Sequence, residues 1–257
     1  MTTHLWPTTP AKEVPAMPLS IRAIPVLSDN YAWLLHDEAT GQTAIVDPGE
    51  AAPIQKTLKE LGLGLDLILL THHHSDHIDG AQTLRDTYKA RIVGPKADAH
   101  RLPALDQAVE DGDTLALGNS TAQVLAVPGH TSGHIAYYFT APPALFCGDT
   151  LFSLGCGRLF EGTPEQMFTS LHRFDTLPDE TLVCCGHEYT LGNAAFALHA
   201  DPHNAALQAR VKDVKALRAA GQPTLPSTLG LERQTNPFLR AKNSAEFAKL
   251  RREKDTF

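Results

Sequence analysis

The sequence predicts a mixed α/β core followed by a helical C-terminal part. Short apolar runs ending at Gly, Pro, Asp or His dominate up to about residue 190, and helix signals take over afterwards. At 257 residues, the chain can bury one large core or a large core plus a small appendage.

Along the chain, Pro7, Pro10, Pro15 and Pro18 break up the first segment, so residues 1–18 read as a flexible arm. It offers no uninterrupted apolar stretch for a secretory signal and no arginine for a transit peptide. Strands are expected at Tyr31–Leu35, Thr43–Val46, Leu65–Leu70, Ala122–Val127, His134–Phe139, Ala144–Cys147 and Thr181–Cys185. Thr163-Pro164-Glu165-Gln166 starts a helix, with Thr as cap, Pro in the first turn and Gln three residues after the cap. Asp201-Pro202 is expected to start another, ending at Gly221, with Leu207, Val211, Val214 and Leu217 on one face. The expected division is a mixed α/β domain over 19–190 and a helical domain over 191–257.

Composition narrows the function. Hydrophobic residues make up 42% and charged residues 20%, as in ordinary globular proteins. A net charge of -7 argues against a nucleic-acid partner. No apolar run reaches the length of a membrane span. Cys147, Cys156, Cys184 and Cys185 are too few and too irregular for a disulfide framework, so they read as reduced thiols. The expectation is a soluble, cytoplasmic monomer with neither membrane nor nucleic-acid partners.

The densest chemical signal is Thr71-His72-His73-His74-Ser75-Asp76-His77, directly after the strand Leu65–Leu70. Imidazole nitrogens and a carboxylate oxygen suit zinc, iron or manganese. In an extended or looping backbone, His72 and His74 point the same way and His73 the other. His72 and His74 can then share one metal while Asp76 and His77 reach a second. Three more candidates follow strands in the same manner, each behind a glycine: His130, Asp149 and His187. Seven ligands exceed the needs of one zinc and fit a two-metal site bridged by Asp149. His134 is expected to support the site from behind. Lone histidines such as His36, His100, His172, His199 and His203 are read as structural or exposed.

The pattern H-x-H-x-D-H followed by G-H, G-D and G-H resembles the metallo-β-lactamase superfamily. That resemblance implies a four-layer αββα sandwich with metals at one edge of the paired sheets. It assigns His72, His74 and His130 to one metal and Asp76, His77 and His187 to the other, with Asp149 between them. Two divalent cations are implied, zinc first, with iron or manganese as alternatives.

The flanks resemble one branch of the superfamily. Gly155-Cys156-Gly157-Arg158-Leu159-Phe160-Glu161-Gly162, His187-Glu188-Tyr189-Thr190, Thr235-Asn236-Pro237-Phe238 and Arg251-Arg252-Glu253-Lys254-Asp255 are similar to glyoxalase II, the hydroxyacylglutathione hydrolases. The similarity spans nearly everything after the arm. It implies hydrolysis of S-D-lactoylglutathione and related 2-hydroxyacyl-glutathiones in methylglyoxal detoxification, by a metal-bridging hydroxide that Asp76 orients. It also assigns glutathione contacts to Arg158, Phe160, Tyr189, Arg251 and Lys254. The family pattern has a lysine where Arg158 stands and a tyrosine where Phe160 stands. Arginine keeps the cation with another geometry, and Phe160 has no side-chain hydrogen bond to donate.

The last helix points to a ligand independently. Asn243 and Glu246 have capping-box spacing. At about 100° per residue, Phe247, Leu250, Arg251 and Lys254 share one inward arc while Lys249 and Arg252 point away. Cations on the apolar stripe suit an anionic ligand between this helix and the core. No serine or cysteine nucleophile is required, and Cys147 and Cys185 read as packed strand residues. A persulfide dioxygenase-like enzyme, or another hydrolase of the superfamily, is the alternative; the former would need neither the complete second ligand set nor the C-terminal domain.

Overall fold

In the computed structural model, which describes residues 19–257, the apolar runs pair into two six-stranded sheets. The arm expected over 1–18 lies outside the described residues. The first sheet holds, in order, β1 (Leu19–Val26), β2 (Asn30–Asp37), β3 (Thr43–Val46), β4 (Leu67–Leu69), β5 (Arg91–Pro95) and β6 (Gln107–Val109). Pairing is antiparallel from β1 to β3 and parallel from β3 to β6. The second sheet draws on β7 (Thr114–Leu117), β8 (Ser120–Ala126), β9 (Ile135–Thr140), β10 (Pro143–Gly148), β13 (Leu182–Cys185) and β14 (Ser227–Thr228). Its order is β14-β13-β10-β9-β8-β7, with a parallel pair only at β10 and β13. Between them in sequence, β11 (Leu151–Phe152) and β12 (Gly155–Cys156) form a separate small hairpin.

Side-chain alternation makes the layers. In β2, Ala32 and Leu34 face a cluster with Ile54 and Leu58 of α1 (Ala51–Leu61), while Trp33 and Leu35 face the second sheet. The ring of Trp33 meets Phe146 of β10 edge-on at 6.3 Å, and its Nε1 donates to the Cys185 carbonyl. β4 alternates likewise, with Ile68 on the helix side and Leu67 and Leu69 on the sandwich side. Slipping such a strand by one residue would exchange the two faces, and each fully buried Leu or Ile is worth roughly 1.5–3 kcal/mol. The one-turn α2 (Ser75–Ile78) and α3 (Ala81–Tyr88) follow β4, and Leu84 of α3 joins α1 on the outer face. On the second sheet, Met167 and Leu171 of α4 (Pro164–His172) and Phe247 of α8 (Ser244–Thr256) join the sandwich core. The remaining helices are α5 (Thr190–Ala200), α6 (Ala205–Ala219) and α7 (Leu229–Thr235). The four-layer αββα arrangement with a helical C-terminal region is therefore present.

Each strand expected from sequence overlaps an observed one, and the Thr163 cap of α4 is a complete capping box. The helix start at Asp201-Pro202 is corrected. Asp201 ends α5, and Asn204 caps α6 by accepting from the Leu207 amide at 3.0 Å. Asp201 instead accepts from the Asn204 side chain, so it orders the turn rather than the helix. Gly221, at φ 67, follows the end of α6 as expected.

Candidate metal centre

The histidine-rich loop is held from below by Asp47, the residue after β3. Asp47 Oδ1 accepts from the Thr71 amide at 2.8 Å, and its Oδ2 accepts from the Thr71 hydroxyl at 2.6 Å. The chain therefore leaves β4 with its backbone anchored, and successive side chains diverge. His72 and His74 turn to the same side, with His72 Nε2 3.2 Å from His74 Nδ1. His73 turns the other way, its Nδ1 3.3 Å from Asp98. Asp76 and His77 then sit on α2, beyond the loop.

The other three candidates arrive from the second sheet. Gly129 at φ 151 and Gly148 at φ 46 adopt conformations closed to most side chains, directly before His130 and Asp149. Gly186 is required for a different reason. A Cβ there would collide with Asp149 Oδ1 and the His77 ring, so only glycine lets His187 approach.

All seven candidates converge. His72, His74 and His130 form one group, and Asp76, His77 and His187 form another, each with one donor atom per residue within 4.8 Å of the rest. Asp149 lies between them. Its Oδ1 is 3.3 Å from His77 Nε2, and its Oδ2 is 3.3 Å from His187 Nε2 and 3.5 Å from His130 Nε2. Buried Oδ1 nevertheless has no well-formed hydrogen bond among the described residues.

Four of the five histidines are turned by a partner behind the ring. Nδ1 of His77 meets Asp47 at 3.1 Å, that of His187 meets Asp29 at 2.9 Å, and that of His130 donates to the Arg158 carbonyl at 2.8 Å. His72 Nδ1 lies 3.0 Å from the Thr71 hydroxyl, which itself donates to Asp47. With Nδ1 so engaged, each Nε2 lone pair is directed inward, the arrangement that metal-binding histidines need. His134 takes the supporting place expected of it. Its Nε2 accepts from the Asp149 amide at 3.2 Å, and its ring stacks on His72 at 4.5 Å.

Electrostatics separates the two groups. Burial and neighbouring imidazoles push His72 well below its ordinary value and His74 to about 4, and burial also lowers His130. Three neutral imidazoles thus face one another. In the second group burial opposes protonation, but Asp149 and Asp76 raise His187 to about 10, and Asp149 and Asp47 raise His77. That group attracts positive charge. A cage of three neutral imidazoles beside one of two imidazoles and a carboxylate, with an orphaned carboxylate oxygen between, fits two divalent cations.

Above this cage opens a cleft of about 680 Å³, lined by His74, Asp76, His130, Asp149 and His187. The five positions expected to contact substrate, Arg158, Phe160, Tyr189, Arg251 and Lys254, line the same cleft. Phe160 is exposed and stands over His74 and His130 at 5.7 and 5.2 Å, so it offers an apolar edge. Tyr189 stacks on His187 at 4.5 Å, and burial raises its phenol to about 12, so it stays a donor. Arg251 is buried and also has structural work, donating to the Cys156 carbonyl at 3.0 Å and to Asp255 at 2.7 Å. Lys254 makes no ion pair among the described residues and lies over Phe196 and Phe257. Burial, Arg251 and Arg158 all lower its pKa, marking a crowded positive end of the cleft. Cys147 and Cys185 are buried, with Cys185 pushed up to about 12 by burial, so neither is poised as a thiolate.

Sequence reasoning did not find Asp29, Asn30 and Asp47. Asn30 donates to Asp76 Oδ2 at 2.9 Å and so fixes that carboxylate. Asp47 carried a usable signal, since it directly follows a strand, as Asp149 does.

The Metallo-beta-lactamase superfamily model matches residues 27–187, and the model described as Hydroxyacylglutathione hydrolase C-terminus matches residues 188–257. A hydroxyacylglutathione hydrolase of Ruegeria pomeroyi is 53% identical over 255 residues, covering 94% of this chain and all of that protein. One from Rhodobacter capsulatus is 55% identical over 234 residues, covering 91% of both chains. Among solved structures, ETHE1 from Myxococcus xanthus superposes with a TM-score of 0.70 at 30% identity, covering 91% of this chain and 90% of that one. With both parts of its length matched, this chain belongs to the hydroxyacylglutathione hydrolase family of the metallo-β-lactamase superfamily.

Proposed function

We propose that this chain hydrolyses S-D-lactoylglutathione and related 2-hydroxyacyl-glutathiones to glutathione and the free hydroxy acid, D-lactate for the first, in methylglyoxal detoxification. Asp149 carries the reading: one buried carboxylate between two imidazole groups, at the base of a cleft whose lining includes three cationic side chains. His72, His74 and His130 are proposed to hold one cation, Asp76, His77 and His187 the other, and Asp149 both. Zinc is the first candidate and iron or manganese the alternatives, since all accept nitrogen and carboxylate donors. When bound, the cations supply a water acidified to near neutrality and a Lewis acid for the thioester carbonyl.

The chain's own groups do the rest. Asp76 is half-exposed at the cleft and tied to Asn30, so it can orient the attacking water without swinging away. His187 and His77, close to both Asp76 and Asp149, keep those carboxylates ionised. Tyr189 offers a phenolic hydrogen bond, and Arg158, Arg251 and Lys254 offset the substrate's carboxylates. A thiolate with a solution pKa of about 8.5 leaves readily, so no acid need be aimed at sulfur. Four free, buried thiols support a reducing, cytoplasmic setting.

Elemental analysis of the purified protein, paired with S-D-lactoylglutathione turnover, tests the reading. Two divalent cations per chain and release of D-lactate are expected, with loss of activity on chelation and recovery on re-addition. A metal-loaded protein that releases no D-lactate would overturn it.

A further inference from the structure

The hairpin of β11 and β12 packs Leu151, Phe152 and Cys156 into the sandwich core, and it is also tied by several hydrogen bonds to the C-terminal helices. Asn236, just after α7, donates to the carbonyls of Phe152 and Gly155 at 3.0 and 2.9 Å. Glu232 of α7 accepts from the Leu154 amide at 2.9 Å. Asn193 of α5 donates to the Ser153 carbonyl, Arg210 of α6 to the Ser153 hydroxyl, and Arg251 of α8 to the Cys156 carbonyl. At the tip, Leu154 adopts φ 59, a conformation unfavourable for its side chain, and is fully buried. It packs with Ala194 and Ala197 of α5 and Leu207 and Val211 of α6, so it plugs into the helical region rather than the sandwich core.

The ends of the same hairpin reach the candidate metal centre. Asp149 precedes it by two residues. Gly157, directly after it, donates to the Thr150 carbonyl, and a Cβ on Gly157 would strike the Asp149 carbonyl and approach His130 Nδ1. Arg158 follows, and its carbonyl accepts the proton of His130 Nδ1 at 2.8 Å. Helices, hairpin, Asp149 and His130 thus form one continuous hydrogen-bonded and packed chain.

We propose that the C-terminal helices hold Asp149 and His130 in register through this hairpin, with Asn236 and Leu154 as positioning residues. The helical region then has a second task besides facing the substrate: it sets the angle of the carboxylate and of one imidazole. The proposal rests on the assignment of Asp149 and His130 as metal ligands.

The test compares Asn236→Ala, Leu154→Ala and His130→Ala in the full chain. Zinc affinity is measured by chelator competition, and the visible spectrum is recorded after cobalt substitution. Asn236→Ala and Leu154→Ala should weaken zinc retention on the order of tenfold and change the cobalt spectrum. Turnover of S-D-lactoylglutathione should fall in kcat with KM nearly constant, at temperatures where circular dichroism shows an intact fold. If Asn236→Ala does not fold, Leu154→Ala, which leaves every hairpin hydrogen bond in place, carries the test alone. Unchanged zinc affinity and cobalt spectrum in the folded variants, with His130→Ala losing metal, would overturn the coupling. Retention of metal by His130→Ala would instead sink the ligand assignment, a separate failure.

Discussion

His72, His73 and His74 are chemically identical, and only backbone direction separates their surroundings. His72 is fully buried against His134, His74 faces the cleft, and His73 lies between Asp98 and Glu161. Its contacts tie the loop to Arg101, which bonds both Asp98 and Glu161. The alanine variants should therefore part company. His72→Ala should lose most bound metal and most turnover, whereas His73→Ala should keep both metals and lose some thermal stability. Metal content by mass spectrometry decides this, and equal metal loss in the two variants would refute the alternation. The cluster was legible because metal sites need several soft or anionic donors close together, and such crowding is rare otherwise. Asp29 and Asn30 were not legible. They act through a few hydrogen bonds, from the end of the turn after β1 and the first residue of β2, where the sequence offers only ordinary polar residues.

At the scale of elements, legibility followed the strength of local signals. α8 could be read because Asn243 accepts from the Glu246 amide at 2.9 Å and the helix has a clear inward stripe. Its box is open by one residue, since the Glu246 carboxylate takes the Lys242 amide rather than that of Asn243. α5 could not be read, because Tyr189 provides no side-chain cap and the small residues of the helix are buried on several sides. Arg251 and Lys254, expected on the same inward arc, differ in their other contacts. Arg251 is engaged with Asp255 and with the Cys156 carbonyl, so removing it disturbs the hairpin as well as the cleft. Lys254 is the cleaner probe. Lys254→Ala should raise KM for glutathione thioesters about tenfold, as one charged hydrogen bond of roughly 1.5–3 kcal/mol is partly replaced by water. Its kcat, bound metal and hydrolysis of a small thioester lacking the glutathione part should change little. Equal losses on both substrates would show that Lys254 serves something other than glutathione.

Across the whole molecule, strand positions were legible but their order was not. Runs such as Thr43–Val46 announce themselves by composition, yet nothing local says that β13 pairs in parallel with β10 and brings His187 beside Asp149. That placement comes from the common core, which is shared more widely than the sequence suggested. Phe196, Phe238 and Phe247 are fully buried in the same cluster as Phe146, Leu145 and Trp33 of the sandwich. Phe238 stacks on Phe196 at 5.9 Å and meets Phe247 at 5.7 Å, so α5, the stretch after α7 and α8 close over one side as a unit. Deleting the three rings would expose the apolar face of the sandwich that they cover, and apolar contact of that size is worth about 5–9 kcal/mol at roughly 1.5–3 kcal/mol per ring. The total stability of a domain is only about 5–15 kcal/mol. Residues 1–190, expressed alone, should therefore be insoluble or lack a cooperative urea transition, and should not retain metal after dialysis. Arg210, Glu232 and Ser227 add to the expectation, because their buried network spans α6, α7 and β14, all of which the truncation deletes, and it also grips Ser153. Recovery of a soluble, cooperatively unfolding 1–190 fragment with two bound cations would mean that the sandwich stands alone and that the helices serve the substrate only.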